Sequence, residues 1–94
     1  MALPSFRNLI LGVGVITVDD CDNKKSAGVF YITSSTQHHP TGTGNMLLCV
    51  YTWGNGFVKQ EATRATNAET YYRTYDSNAG TWTTWYKYTV TVVS

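Results

Sequence analysis

The chain has 94 residues, a size for one domain, with seven basic against six acidic side chains and no block of either sign. That balance leaves out the basic stripe of a nucleic-acid binder. Threonine and aromatic residues are plentiful while strong helix formers are sparse, which favours β-structure; a domain this small buries a modest share of its surface and gains from oligomerisation.

Residues 1–18 read as a short shaft-like β-segment. Leu9, Leu11, Val13 and Val15 alternate with Ile10, Ile16 and Val18, so both faces of the segment want apolar cover, most simply from neighbouring chains. The apolar stretch lacks the small-residue cleavage site of a signal peptide and is too short to span a bilayer as a helix. A protein without membrane insertion, made in a cytoplasm, is expected.

Residues 19–94 form the second unit. Asp19, Asp20, Asp22 and Asn23 supply turn chemistry. Three aspartates in four positions hint at calcium, but no glycine and closing glutamate follow at the EF-hand spacing, so a solvated turn is expected. Residues 28–34 are β-branched and aromatic, the clearest strand of the chain. The loop 35–45 carries Pro40, Gly42, Gly44 and the pair His38 and His39. Adjacent residues on an extended chain point to opposite sides, so surface histidines are expected here, unless a threefold axis gathers one from each chain.

Residues 46–53 read as a largely buried strand, and Gly54-Asn55-Gly56 turns it back into strand 57–63. Residues 69–88 then hold five of the seven tyrosines and two of the three tryptophans, in two β-segments around the turn 76–80. Trp82 and Trp85 lie three apart and should face opposite sides of a regular strand. Residues 88–93 alternate again, as a tail strand would. The whole is read as an all-β domain, a small sandwich or partly open barrel of about six short antiparallel strands.

Cys21 and Cys49 fit no zinc spacing, and two free thiols are the simpler expectation beside a disulfide. No nucleophile motif or phosphate-cradling glycine loop is present, and six scattered carboxylates need no catalytic explanation, so no enzyme is expected. Aromatic rings remain as the signal. A ring stacks on the C–H face of a sugar while neighbouring planar polar groups bond its hydroxyls. The candidate ligand-binding residues are Tyr51, Trp53 and Asn55 at one hairpin tip, and Arg73, Tyr75, Asp76 and Trp82 at the other. Core packing competes for each ring, and a salt bridge or cation–π stack competes for Arg73. No cofactor and no metal are expected.

The ordered set 27–32 (AGVFYI), Pro40-Thr41-Gly42, 47–50 (LLCV), Val58-Lys59-Gln60, Tyr71-Tyr72-Arg73-Thr74-Tyr75 and Trp82-Thr83-Thr84-Trp85 resembles the pyocin-knob type domain of bacteriophage tail fibres, over about residues 19–88. The resemblance implies a homotrimeric fibre tip on the virion that attaches to a bacterial surface polysaccharide or lipopolysaccharide, without catalysis. Cys49 in the apolar strand, His38-His39 before the proline and the tail after Tyr88 depart from that pattern. Two rivals stand beside it. One is a structural module that caps and registers the trimer without binding a receptor. The other is a polysaccharide-cleaving enzyme, which requires two carboxylates about 5 to 9 Å apart across a groove.

Overall fold

The computed structural model describes residues 16–89 and Val93. The shaft-like segment, apart from residues 16–18, and the tail strand, apart from residues 88, 89 and 93, lie outside the described residues. The protein is all-β. Its strands are β1 (Gly28–Ile32), β2 (Met46–Trp53), β3 (Phe57–Arg64), β4 (Thr70–Asp76), β5 (Thr81–Trp82) and β6 (Tyr86–Lys87). They form one antiparallel sheet in the order β1-β2-β3-β4-β5, with β6 also paired to β4. The only helical elements among the described residues are 3-10 turns at Cys21–Asn23 and Gly54–Gly56.

Alternation decides which side of the sheet each residue takes. The register places Phe30 opposite Leu48, Leu48 opposite Ala62, Val50 opposite Gln60, and Gln60 opposite Arg73. All of these are buried, with Ile32, Met46 and Val58 on the same face. Among the described residues no second sheet covers this face. The turn Cys21–Asn23, the loop 33–45 and the indoles of Trp82 and Trp85 cover it instead.

The cover is pinned by hydrogen bonds and short bridges. Residues 16–18 run parallel to β1, with a bridge from Thr17 to Tyr31, and Asp20 bridges to Gln37 in the loop. Thr36 Oγ1 donates to the Val18 carbonyl at 2.7 Å. His39 is buried, unlike the surface residue expected from sequence. Its Nδ1 accepts from the backbone N–H groups of Thr41 and Gly42, so its Nε2 carries the hydrogen and donates to the Gly44 carbonyl at 2.8 Å. A polar ring in a crowded loop is held there because all its hydrogen-bonding capacity is used.

The opposite face bears Val29, Tyr31, Leu47, Cys49, Tyr51, Trp53, Phe57, Lys59, Glu61 and Tyr72. Leu47, Tyr51 and Trp53 are exposed there. Both cysteines are free thiols, Cys21 buried and Cys49 half-buried.

The edge beyond β4 is irregular. Tyr75 pairs with Trp82, and Tyr72 pairs with Tyr86, so the outer strand carries one residue more than β4 over this interval. That extra residue is a β-bulge within residues 83–85. It reverses the parity beyond it. Trp82 and Trp85, expected from their spacing to face opposite sides, therefore both turn to the core face.

Candidate functional site

Two clusters of chemistry occupy opposite faces of the sheet. On the covered face the centre is Arg73, whose side chain is only 4 % exposed. Its guanidinium carbon lies 4.1 Å from the Trp82 ring centroid and 4.6 Å from that of Trp85. Arg73 Nε donates to Gln60 Oε1 at 2.9 Å, and Gln60 Nε2 in turn donates to the carbonyls of Cys21 and Lys24. Arg73 Nη1 stands 2.8 Å from Asp22 Oδ1, a charge contact outside good hydrogen-bond angles. Burial lowers the pKa of the guanidinium, an effect opposed by Asp22. The indole N–H groups of Trp82 and Trp85 donate to the carbonyls of Asp22 and His38. Each tryptophan thus packs its ring on the arginine and ties its polar edge to a covering loop.

Around that centre, His38 Nδ1 reaches Asp20 Oδ1 at 2.7 Å and Asp22 Oδ2 at 3.3 Å. The bond to Asp20 is the main cause that raises the His38 pKa and lowers that of Asp20.

On the open face, the turn Gly54–Gly56 carries an aromatic tip. Trp53, 53 % exposed, stacks on Phe57 with ring centroids 6.2 Å apart and planes 14° from parallel. Tyr51, 47 % exposed, lies two residues along on the same face, and its hydroxyl reaches Glu61 Oε1 at 3.4 Å. Asn55 takes a left-handed conformation, φ 71°, which asparagine tolerates better than most residues. Gly56 follows with φ 79°, and a side chain on it would press on Ser77. Ser77 Oγ donates to the Asn55 carbonyl, so the two hairpin tips touch.

Further along the open face lies a groove of about 620 Å³ whose lining includes Glu61, Thr63, Glu69, Thr70, Lys87 and Tyr88. Tyr88 Oη donates to Glu61 Oε2 at 3.0 Å and accepts from Lys59 Nζ at 3.0 Å, the bond that chiefly raises the Lys59 pKa. Glu69 accepts from Lys87, Tyr71 and Arg64, and its pKa is lowered, first by Lys87.

The seven residues singled out from sequence therefore divide. Tyr51, Trp53 and Asn55 come together at the open tip. Asp76 is exposed beside it, although one of its oxygens accepts from the N–H groups of Asn78 and Ala79 in the turn. Tyr75 and Trp82 are half-buried against the core, their ring centroids 5.2 Å apart, and Arg73 is buried between the two indoles. Sequence reasoning missed Phe57 as the partner of Trp53. Hairpin pairing across the Gly-Asn-Gly turn was the signal that could have found it. It also missed the meeting of His38 with Asp20 and Asp22, which no local spacing announces.

No protein-family model, no curated protein and no solved structure matches this chain.

Proposed function

We propose that the chain is a phage tail-fibre tip domain of the virion that attaches, as a homotrimer, to a surface polysaccharide or lipopolysaccharide of its bacterial host. The observation that carries this reading is the Trp53–Phe57 stack, a flat aromatic surface exposed at a turn where Tyr51, Asn55 and Asp76 supply polar partners. Burying an indole removes more apolar surface from water than burying almost any other side chain, and leaving one exposed invites a ligand with an apolar face. Each site would bind weakly, and three linked sites would multiply the affinity.

The ordered knob-like motifs support the same reading, although their Tyr-Arg-Thr-Tyr and Trp-x-x-Trp elements build the core around Arg73. A polysaccharide-cleaving reading finds less support. A glycosidase needs one carboxyl kept protonated near neutral pH, whereas Glu69 in the groove is shifted the opposite way and Glu61 accepts from two tyrosines.

The test is a glycan array probed with purified protein whose trimeric mass has been verified by light scattering. Binding to a bacterial envelope saccharide, lost on Trp53→Ala with the circular dichroism unchanged, is the expected result. Intact trimers that bind no such saccharide would leave the structural capping role in its place.

A further inference from the structure

The 3-10 turn at Cys21–Asn23 and the loop 33–45 bring three metal-ligating side chains from distant parts of the chain to one point. His38 Nδ1, a carboxylate oxygen of Asp20 and one of Asp22 all lie within 4.8 Å of one another. We propose that Asp20, Asp22 and His38 form a binding site for a divalent cation of the zinc class. This site is separate from the open tip and does not depend on the glycan reading.

Spacing favours it. Donors held at zinc distances in a tetrahedral arrangement are about 3.3–3.6 Å apart. The 3.3 Å between His38 Nδ1 and Asp22 Oδ2 already matches, and the 2.7 Å to Asp20 must open by several tenths of an ångström. The His38 side chain is 53 % exposed and free to make that adjustment.

The charges that face the site also favour it. Asp20 and Asp22 carry two negative charges, and Arg73 brings one positive charge from β4. With His38 neutral, one negative charge is left over, so a cation is attracted. Binding uses the Nδ1 lone pair of the neutral imidazole and the carboxylate oxygens, with no redox change.

The ligands are held from behind, as metal ligands are. Arg73 Nη1 holds Asp22 by the oxygen that does not face His38. The Asp22 N–H donates to Asp20 Oδ1 at 2.9 Å. The indole of Trp85 holds the His38 carbonyl at 2.9 Å, with the His38 backbone at φ 57°. A second observation asks for something more at this place. Within the contact between Arg73 and Asp22, Arg73 Nη2 and Asp22 Oδ1 are both buried without a hydrogen-bond partner. A buried guanidinium N–H without an acceptor is costly. Asp22, a ligand of the proposed site, keeps a buried oxygen with no hydrogen bond.

The test is titration of chelator-treated protein with Zn²⁺ by calorimetry and with Co²⁺ by its electronic spectrum. One Zn²⁺ per chain should bind, and the Co²⁺ spectrum should lack thiolate charge-transfer bands. His38→Ala should weaken binding by at least the roughly 10- to 100-fold that loss of an outer partner costs, with unchanged circular dichroism. Asp20→Asn, which keeps the turn's cap, should weaken it as well, whereas Cys49→Ser should leave it intact. Absence of binding, equal affinity in the His38→Ala protein, or loss of binding on Cys49→Ser would each overturn the proposal.

Discussion

Trp53 and Arg73 are both candidate ligand-binding residues by sequence, yet they occupy opposite environments, and their substitutions separate binding from stability. An aromatic stack is worth about 0.5–1.5 kcal/mol beyond its buried area. Across three linked chains, Trp53→Ala should lower glycan avidity by about tenfold or more in surface plasmon resonance while the melting temperature stays put. Arg73→Ala should do the reverse. It strips Asp22 Oδ1 of its cation and opens a gap between two indoles, for a loss of about 3 kcal/mol in urea unfolding, the low end for a broken buried pair because Asp22 remains partly exposed. An unchanged urea midpoint would contradict the central position given to Arg73. Neither outcome was legible in the residues themselves. Arginine and tryptophan serve cores and binding surfaces alike, and only pairing across the sheet separates the two uses.

At the scale of elements, the fold depends on how the covering segments are fastened to a single sheet. Gln60 is the chief fastening, since it joins β3 to the turn Cys21–Asn23 through two carbonyls and to β4 through Arg73. Gln60→Leu keeps the volume and orphans those partners, so it should cost about 2–4 kcal/mol in thermal unfolding. Cys21 reports on the same fastening. Burial pushes its thiol up to about 11, from an ordinary value of 9.0. Because the neutral form is favoured in the folded state, this contribution to stability is whole below pH 9 and is lost as pH rises through about 11. Folded protein at pH 8 should therefore react with iodoacetamide at Cys49 far faster than at Cys21. Equal rates by mass spectrometry would show that the turn opens readily.

The long strands were readable because β2 is an apolar run, β3 alternates and a glycine-rich turn joins them, and β1 is a β-branched aromatic run, although β2, expected to be largely buried, leaves Leu47, Tyr51 and Trp53 exposed on its open face. The cover was not readable. Its residues are polar loop residues whose burial comes from contacts between the turn Cys21–Asn23, the loop 33–45 and β4. His39 looks like a surface residue until three loop backbone groups are seen to surround its ring.

For the molecule as a whole, the all-β character follows from threonine and aromatic content, and a neutral charge balance fits a surface that meets neither nucleic acid nor membrane by charge. Among the described residues no helix is long and apolar enough to cross a membrane. The second layer, which alternation alone suggests should be a sheet, is built from loops, and the other face stays open with Leu47 44 % exposed. A bare face on a small domain gains stability when copies associate, and such stabilisation depends on concentration. The melting temperature should rise with protein concentration, and light scattering should return the mass of three chains. A concentration-independent monomer would remove the trimer from the proposed function.

The bulge within residues 83–85 keeps both indoles on the core face of a strand one residue too long for regular alternation. Deleting Thr84 would restore regular pairing with Trp85 opposite Arg73, so both indoles would keep the core face and only the chain between them would straighten. The turn 77–80 a few residues earlier lies at the surface and is the natural place for an inserted residue. Variants that gain a residue should therefore survive at that turn, and loss of Thr84 should keep the fold, so that chain length, more than residue identity, marks where this domain can diversify.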